Sequence, residues 1–200
     1  PKHHISIHSK NENLVVALRQ AIKETNADLL VMGNKGNTGA KSIFMGSNAI
    51  KSINAIKDCP ILIIPGEKEF LLPAEIAFAT DYKKNYNAKV LQPLQILASN
   101  CGSNISIVHI NEEERLSPVQ KSNLYTLREY LAKIRHTIHW MPDFTNKTRA
   151  ITDFIDELGI DMLAMIHYEH GFLEKLTREP VVEKVSFNIN IPFLVLPYTD

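Results

Sequence analysis

Five residues, Asp28-Leu-Leu-Val-Met32, return 133 positions later as Asp161-Met-Leu-Ala-Met165. Pro60-Ile-Leu-Ile-Ile-Pro65 returns 132 positions later as Pro192-Phe-Leu-Val-Leu-Pro197, and His4 and His136 share that spacing of 132. A fixed period of this length means that one folding unit is present twice. Strand-like and helix-like runs alternate along both copies, which implies an α/β fold built on a mainly parallel sheet.

The second segment reads as a full unit. Its strands are Glu75 to Thr80, Ile105 to Ile110, His136 to Trp140, Asp161 to Ile166 and Pro192 to Leu196. Helices are expected from about Asn87 to Asn100, from Ser117-Pro118 to about Lys133, around Ile151, Phe154, Ile155 and Leu158, and from Leu173 to Phe187. Ser117 before Pro118 is an N-cap followed by proline at the first helical position.

The first segment reads as three strands, His4 to His8, Asp28 to Met32 and Ile61 to Ile64. Ser9-x-x-Glu12 predicts a capping box before a helix with Leu14, Val15, Leu18, Ala21 and Ile22 on one face, and a second helix runs from Asn48 to Lys57. The boundaries are 1–66 and 74–200, with Gly66 to Pro73 as connector. Carried back by one period, Ile76 falls before residue 1, so about 57 residues of an equal first unit, with its first two strands, are expected outside this sequence.

The glycines of the first segment carry the chemistry. Strand Asp28 to Met32 runs into Gly33-x2-Gly36-x9-Gly46-Ser47, and a helix follows. Glycine-rich backbone between a strand and a helix N-terminus suits a phosphate, because amides point at it, no Cβ blocks it and the helix dipole favours negative charge. Lys35 and Lys41 lie in the loop, where solvated surface is the simpler reading for a lysine. The loop is not a Walker A sequence, since no Gly-Lys-Ser/Thr closes it.

These residues resemble the universal stress protein family, whose ATP-binding members carry Gly-x2-Gly-x9-Gly-(Ser/Thr) after the fourth strand. Ala27-Asp-Leu-Leu-Val-Met-Gly33, Asp58-Cys-Pro-Ile-Leu-Ile-Ile-Pro65 and Ala77-Phe-Ala-Thr-Asp81 match its flanks. The resemblance implies a doubly wound parallel five-stranded sheet, order 3-2-1-4-5, with helices on both faces, present here as a duplicate whose first copy is incomplete. It implies ATP binding at Gly33, Gly36, Gly46, Ser47 and Asn48, a stress-response role without catalysis, and adenine held by the first two strands. In the second segment Asp81 and Val108 stand at the base-binding places. Its loop, however, is His167-Tyr-Glu-His170, and Arg178-Glu-Pro180 replace Gly46-Ser-Asn48. Glutamates repel phosphate and Pro180 lacks an amide donor, so that copy is expected to be degenerate. Fifth strands are sheet edges in this topology, so pairing through them, between the two copies or between chains of a homodimer, is expected.

Composition narrows the rest. Lys and Arg total 22 and Asp and Glu total 22, so no basic excess points to nucleic acid or a membrane surface. No run of about 18 apolar residues is present, and Pro1-Lys-His-His-Ile-Ser is no signal peptide. Cys59 and Cys101 form no motif; a reduced, cytoplasmic protein with Cys59 buried is the reading. His167 with His170 is the best-placed pair for a metal, but the pair lacks a dedicated motif, and none is expected. His136 and His139 point to opposite sheet faces. No nucleophile and base are legible, which puts slow nucleotide hydrolysis last. The alternative to nucleotide binding is an interaction scaffold with a remnant glycine loop.

Overall fold

Met162–His167 is buried at all six positions, a pattern that only a strand covered on both faces produces. It sits in the middle of a seven-stranded sheet. The computed structural model describes residues 3–34, 46–66, 71–110, 115–141, 154–168 and 191–198. In chain order the elements are α1 (Leu14–Thr25), β1 (Leu30–Gly33), α2 (Ser47–Ala55), β2 (Ile61–Ile64), β3 (Glu75–Thr80), α3 (Ala88–Cys101), β4 (Asn104–Ile110), α4 (Pro118–Tyr130), β5 (His136–Met141), β6 (Met162–His167) and β7 (Phe193–Pro197). Residues 154–158 are also helical.

The strand order is β1-β2-β7-β6-β3-β4-β5. Within the second segment this is the expected 3-2-1-4-5, and β3, β4, β5, β6 and β7 are all parallel. The two segments do not make separate five-stranded sheets. Instead β2 pairs antiparallel with β7, Ile61 opposite Val195 and Ile63 opposite Phe193, and the sheet continues through to β1. Fifth-strand pairing thus occurs within the chain. Both strands are almost wholly apolar, and joining them covers two edges that would otherwise expose unpaired amides and carbonyls.

Strand parity divides the core. Ala77, Ala79, Val108, Leu163, Met165, Phe193, Val195, Ile61 and Ile63 face one side and meet Ile22, Ala49, Ile53 and Ile56. Ile76, Phe78, Ile105, Ile107, Met162, Ala164, Ile166, Leu194 and Leu62 face the other and meet Val90, Leu91, Leu94, Ala98, Leu127 and Leu131. The period of two along each strand does this sorting. The first segment's helices therefore roof one face, and α3 and α4 roof the other. Each large side chain taken fully into these layers contributes about 1.5–3 kcal/mol.

Local signals account for most element ends. Ser117 Oγ accepts from the Gln120 amide at 3.3 Å and Gln120 Oε1 accepts from the Ser117 amide at 2.9 Å, a complete capping box before Pro118. Asn87 Oδ1 accepts from the Val90 amide at 2.8 Å and starts α3. Gly102, at φ 69°, ends it in the left-handed region where glycine is least strained.

Two sequence expectations are corrected. His4 to His8 forms no strand: Ile5 and Ile7 are 84% and 93% exposed. Alternation alone does not make a strand; it needs a ladder neighbour, and β1, at the end of the sheet, pairs only with β2 among the described residues. The cap of α1 is Asn13, whose Oδ1 accepts from the Val15 amide at 3.0 Å, and not the Ser9–Glu12 box. The helix starts at Leu14, too late for Ser9 to reach its first amides.

Candidate functional site

The glycine loop leaves the sheet through a narrow neck. Gly33 ends β1 opposite Ile64. The next amide, of Asn34, donates to Ile64 O at 2.9 Å, and the Gly46 amide donates to Asn34 O at 2.7 Å. One residue therefore ties the ends of β1 and β2 to the start of α2. Gly36, Lys35 and Lys41 lie outside the described residues.

Gly46 is the N-cap of the nine-residue α2, and no side chain among the described residues caps that helix. Ser47 and Asn48 follow as its first two residues and are exposed. First-turn amides lack intrahelical acceptors and carry the positive end of the dipole. Gly46 has φ −62° and ψ 149°, which any residue adopts. Its amide is already bonded to Asn34, so what glycine offers there is the absence of a side chain. The Ser47 and Asn48 amides, in the first turn, have no acceptor within the helix, and the Ser47 hydroxyl is carried by the same turn.

Sequence reasoning overlooked Asn34. It is 7% exposed and its Oδ1 has no hydrogen-bond partner among the described residues. A buried amide oxygen without a donor is uncommon in a folded protein. Nothing in its residue type marked it; only its place as the first x of Gly33-x2-Gly36 would have drawn attention.

In the second segment the strand order turns back between β3 and β6, where open α/β sheets take ligands. Asp81 follows β3, and its Oδ1 accepts from the Lys83 amide at 3.0 Å and from the Tyr168 hydroxyl at 2.6 Å. Tyr82, at φ 55° and fully buried, stacks on His109 with centroids 4.4 Å apart and planes 2° from parallel. Trp140 meets His109 edge-on at 5.0 Å. Gln120 Nε2 donates to Asp81 O at 2.9 Å and Asn123 Nδ2 to Tyr82 O at 2.8 Å, so α4 clamps this turn.

Burial holds His109 below its ordinary pKa, with the Thr80 backbone and Asp81 pulling the other way. Burial raises the phenols of Tyr82, Tyr86 and Tyr168 well above their usual range, and the charge of Asp81 adds to the rise at Tyr168. These phenols stay protonated at neutral pH, and Tyr168 donates to Asp81. Val108 is buried in the core. His167 is buried at the end of β6, while His170, Glu169 and Arg178 to Pro180 lie outside the described residues. His136 and His139 are not brought together: His136 Nδ1 lies 2.9 Å from Ile134 O, and His139 packs edge-on to Phe154 at 5.3 Å. Among the described residues no three His, Cys, Asp or Glu side chains converge as a metal site requires.

An open crevice of about 520 Å³ is lined by Arg19, Ile22, Lys23, Asn26, Ala27 and Asp58. It lies at the amino ends of β1 and β2, away from the glycine loop, and contains none of the expected site residues.

A mostly parallel sheet whose strand order turns back in this way defines the doubly wound class of α/β proteins. Residues 2–65 match the profile of the universal stress protein family. Among solved structures, a universal stress protein from Archaeoglobus fulgidus DSM 4304 superposes with a TM-score of 0.64 at 19% identity, over 93% of this chain and 66% of that one. A protein of unknown function from Pseudomonas aeruginosa PAO1 superposes with a TM-score of 0.59 at 14% identity, over 93% of this chain and 68% of that one. At these identities the likeness is one of fold, and the chain spans just under two thirds of the Archaeoglobus protein's length. No curated protein shows significant similarity to the chain. No helix among the described residues is long and apolar enough to cross a membrane.

Proposed function

We propose that this stress-response protein binds the phosphates of an adenine nucleotide at the mouth of the first segment's glycine loop, without turning it over, in the cytoplasm. The observation that carries this reading is the start of α2: a helix with no side-chain cap among the described residues, opening on exposed Ser47 and Asn48. First-turn amides, which have no acceptor within their own helix, and a hydroxyl make a ready anion seat. Gly33 ends β1 without a side chain, and Gly46 carries none beside Ser47. The chain acts as two related units, 1–66 and 74–200, joined as an internal pseudo-dimer through β2 and β7, with nucleotide at the first unit alone.

The test is a calorimetric titration of the chain with ATP, compared with Asn48→Pro and Ser47→Ala. Proline is tolerated in the first helical turn, so Asn48→Pro removes an amide donor and keeps α2. Binding weakened about tenfold by each change, roughly 1.4 kcal/mol, supports the proposal. Saturable binding indifferent to both changes, or no saturable heat, refutes it.

One observation favours a second reading, an interaction scaffold. The outer edge of β1 has no strand beside it among the described residues, and Leu29 and Val31 are 37% and 56% exposed there. An open apolar edge invites strand addition. Partner capture that survives Asn48→Pro and fails in Val31→Lys would select that reading.

A further inference from the structure

The crevice between β3 and β6 is spanned by a side chain of the protein itself. Asp81 stands just past the carboxyl end of β3 and Tyr168 just past that of β6. The Tyr168 hydroxyl donates to Asp81 Oδ1 across the gap at 2.6 Å. The Asp81 rim is fixed independently: its carbonyl accepts from Gln120, its neighbour's carbonyl accepts from Asn123, and both amides are buried. The Tyr168 ring is backed edge-on by Tyr198, 6.1 Å away beyond β7, and Lys84 Nζ lies 5.7 Å from the Tyr198 centroid. Tyr168 is thus held between a carboxylate and an aromatic wall, at the point of the sheet where ligands enter.

We infer that Tyr168 is an internal plug, whose ring fills the β3–β6 crevice and whose hydroxyl occupies the Asp81 carboxylate that an incoming ligand would use. The chemistry it stands in for is a planar ring carrying a hydrogen-bond donor. A ligand of that class must displace a short bond to a charged acceptor, among the stronger hydrogen bonds a protein makes. The crevice is therefore closed by a side chain already in place. This inference does not rest on nucleotide binding at the first segment.

The test uses the whole chain, the variants Tyr168→Ala and Tyr168→Phe, and p-cresol, the detached equivalent of the tyrosine side chain. Two signals report on the site. The Lys83 amide, which shares Asp81 Oδ1 with Tyr168, is followed by hydrogen exchange. Trp140, the single tryptophan, stands behind His109 and is followed by fluorescence. The plug predicts saturable p-cresol binding to Tyr168→Ala, with Lys83 protection restored, and none to the native chain. Tyr168→Phe keeps the ring and loses the bond, so Lys83 exchange should quicken about tenfold without p-cresol binding. Equal p-cresol binding by the native chain and Tyr168→Ala overturns the inference, as does a folded Tyr168→Ala that binds none. Should Tyr168→Ala fail to fold, unchanged Lys83 exchange in Tyr168→Phe overturns it.

Discussion

Leu62 and Leu194 stand opposite each other across the one antiparallel step of the sheet. Leu194 is fully buried and Leu62 is 6% exposed, in the core layer that also holds Phe78 and Leu94. Three register pairs at this step join β1, β2 and their helices to the other five strands. Leu194→Ala is expected to lower stability by about 2–5 kcal/mol, the range for emptying a buried leucine site. Urea unfolding would measure it. A loss below 1 kcal/mol would mean that the joint contributes little to the fold.

Asn123→Ala removes the donor that holds the carbonyl of Tyr82, a residue already on left-handed backbone. Leaving a buried carbonyl unpaired costs about 1–3 kcal/mol. Restoring the amide one carbon further out, as Asn123→Gln, should recover little, because the side chain has no room to shorten its reach. Denaturant midpoints of the two variants check this, and native-like stability in Asn123→Ala would remove the clamp from the account.

The stability of the chain should fall on acidification because of His109. Burial depresses its folded pKa, so below the unfolded value of about 6.5 the unfolded state binds the extra proton. Stability contributed by neutral His109 is complete above that pH and is lost as pH drops through it, at up to about 1.4 kcal/mol per unit. The positive charge of Lys83 adds to the depression, and Asp81 and the Thr80 backbone oppose it. His109→Phe keeps a ring under Tyr82 and should flatten the stability profile between pH 7 and 5. A profile as steep as the native one would assign the acid sensitivity elsewhere.

The two thiols should differ sharply in reactivity. Cys59 is 1% exposed, its Sγ lies 3.5 Å from Ala27 O, and burial raises its pKa; Cys101 is half-buried at the end of α3. The native chain should release about one equivalent with a thiol reagent promptly, and the second only on unfolding. Prompt reaction at Cys59 would contradict its place in the core.

Legibility in the sequence followed how local each signal was. The Ser117-Pro118 start needs only four neighbouring residues, and it holds. The runs 61–64 and 193–196 read as buried strands because apolar continuity requires cover on both faces, and their repetition announced partners of equal rank. Ile5 and Ile7 carried a strand pattern with no ladder beside it, and a pattern cannot supply its own neighbour. Asn34, Gln120 and Asn123 went unnoticed because each acts on a backbone group contributed by another part of the chain. The Tyr168–Asp81 bond joins residues 87 apart in sequence, a distance across which residue types carry no signal.

Because β2 meets β7 head to tail, the strands on either side of that step finish at opposite poles of the molecule. The opening at Ser47 and the stopper at Tyr168 accordingly look in contrary directions, with the strands' length of about 3.3 Å per residue between them. The two ends are joined by three rungs of backbone, from residues 61–63 to residues 193–195, and by the core layer that packs Ile22 and Ile53 with Leu163 and Val195.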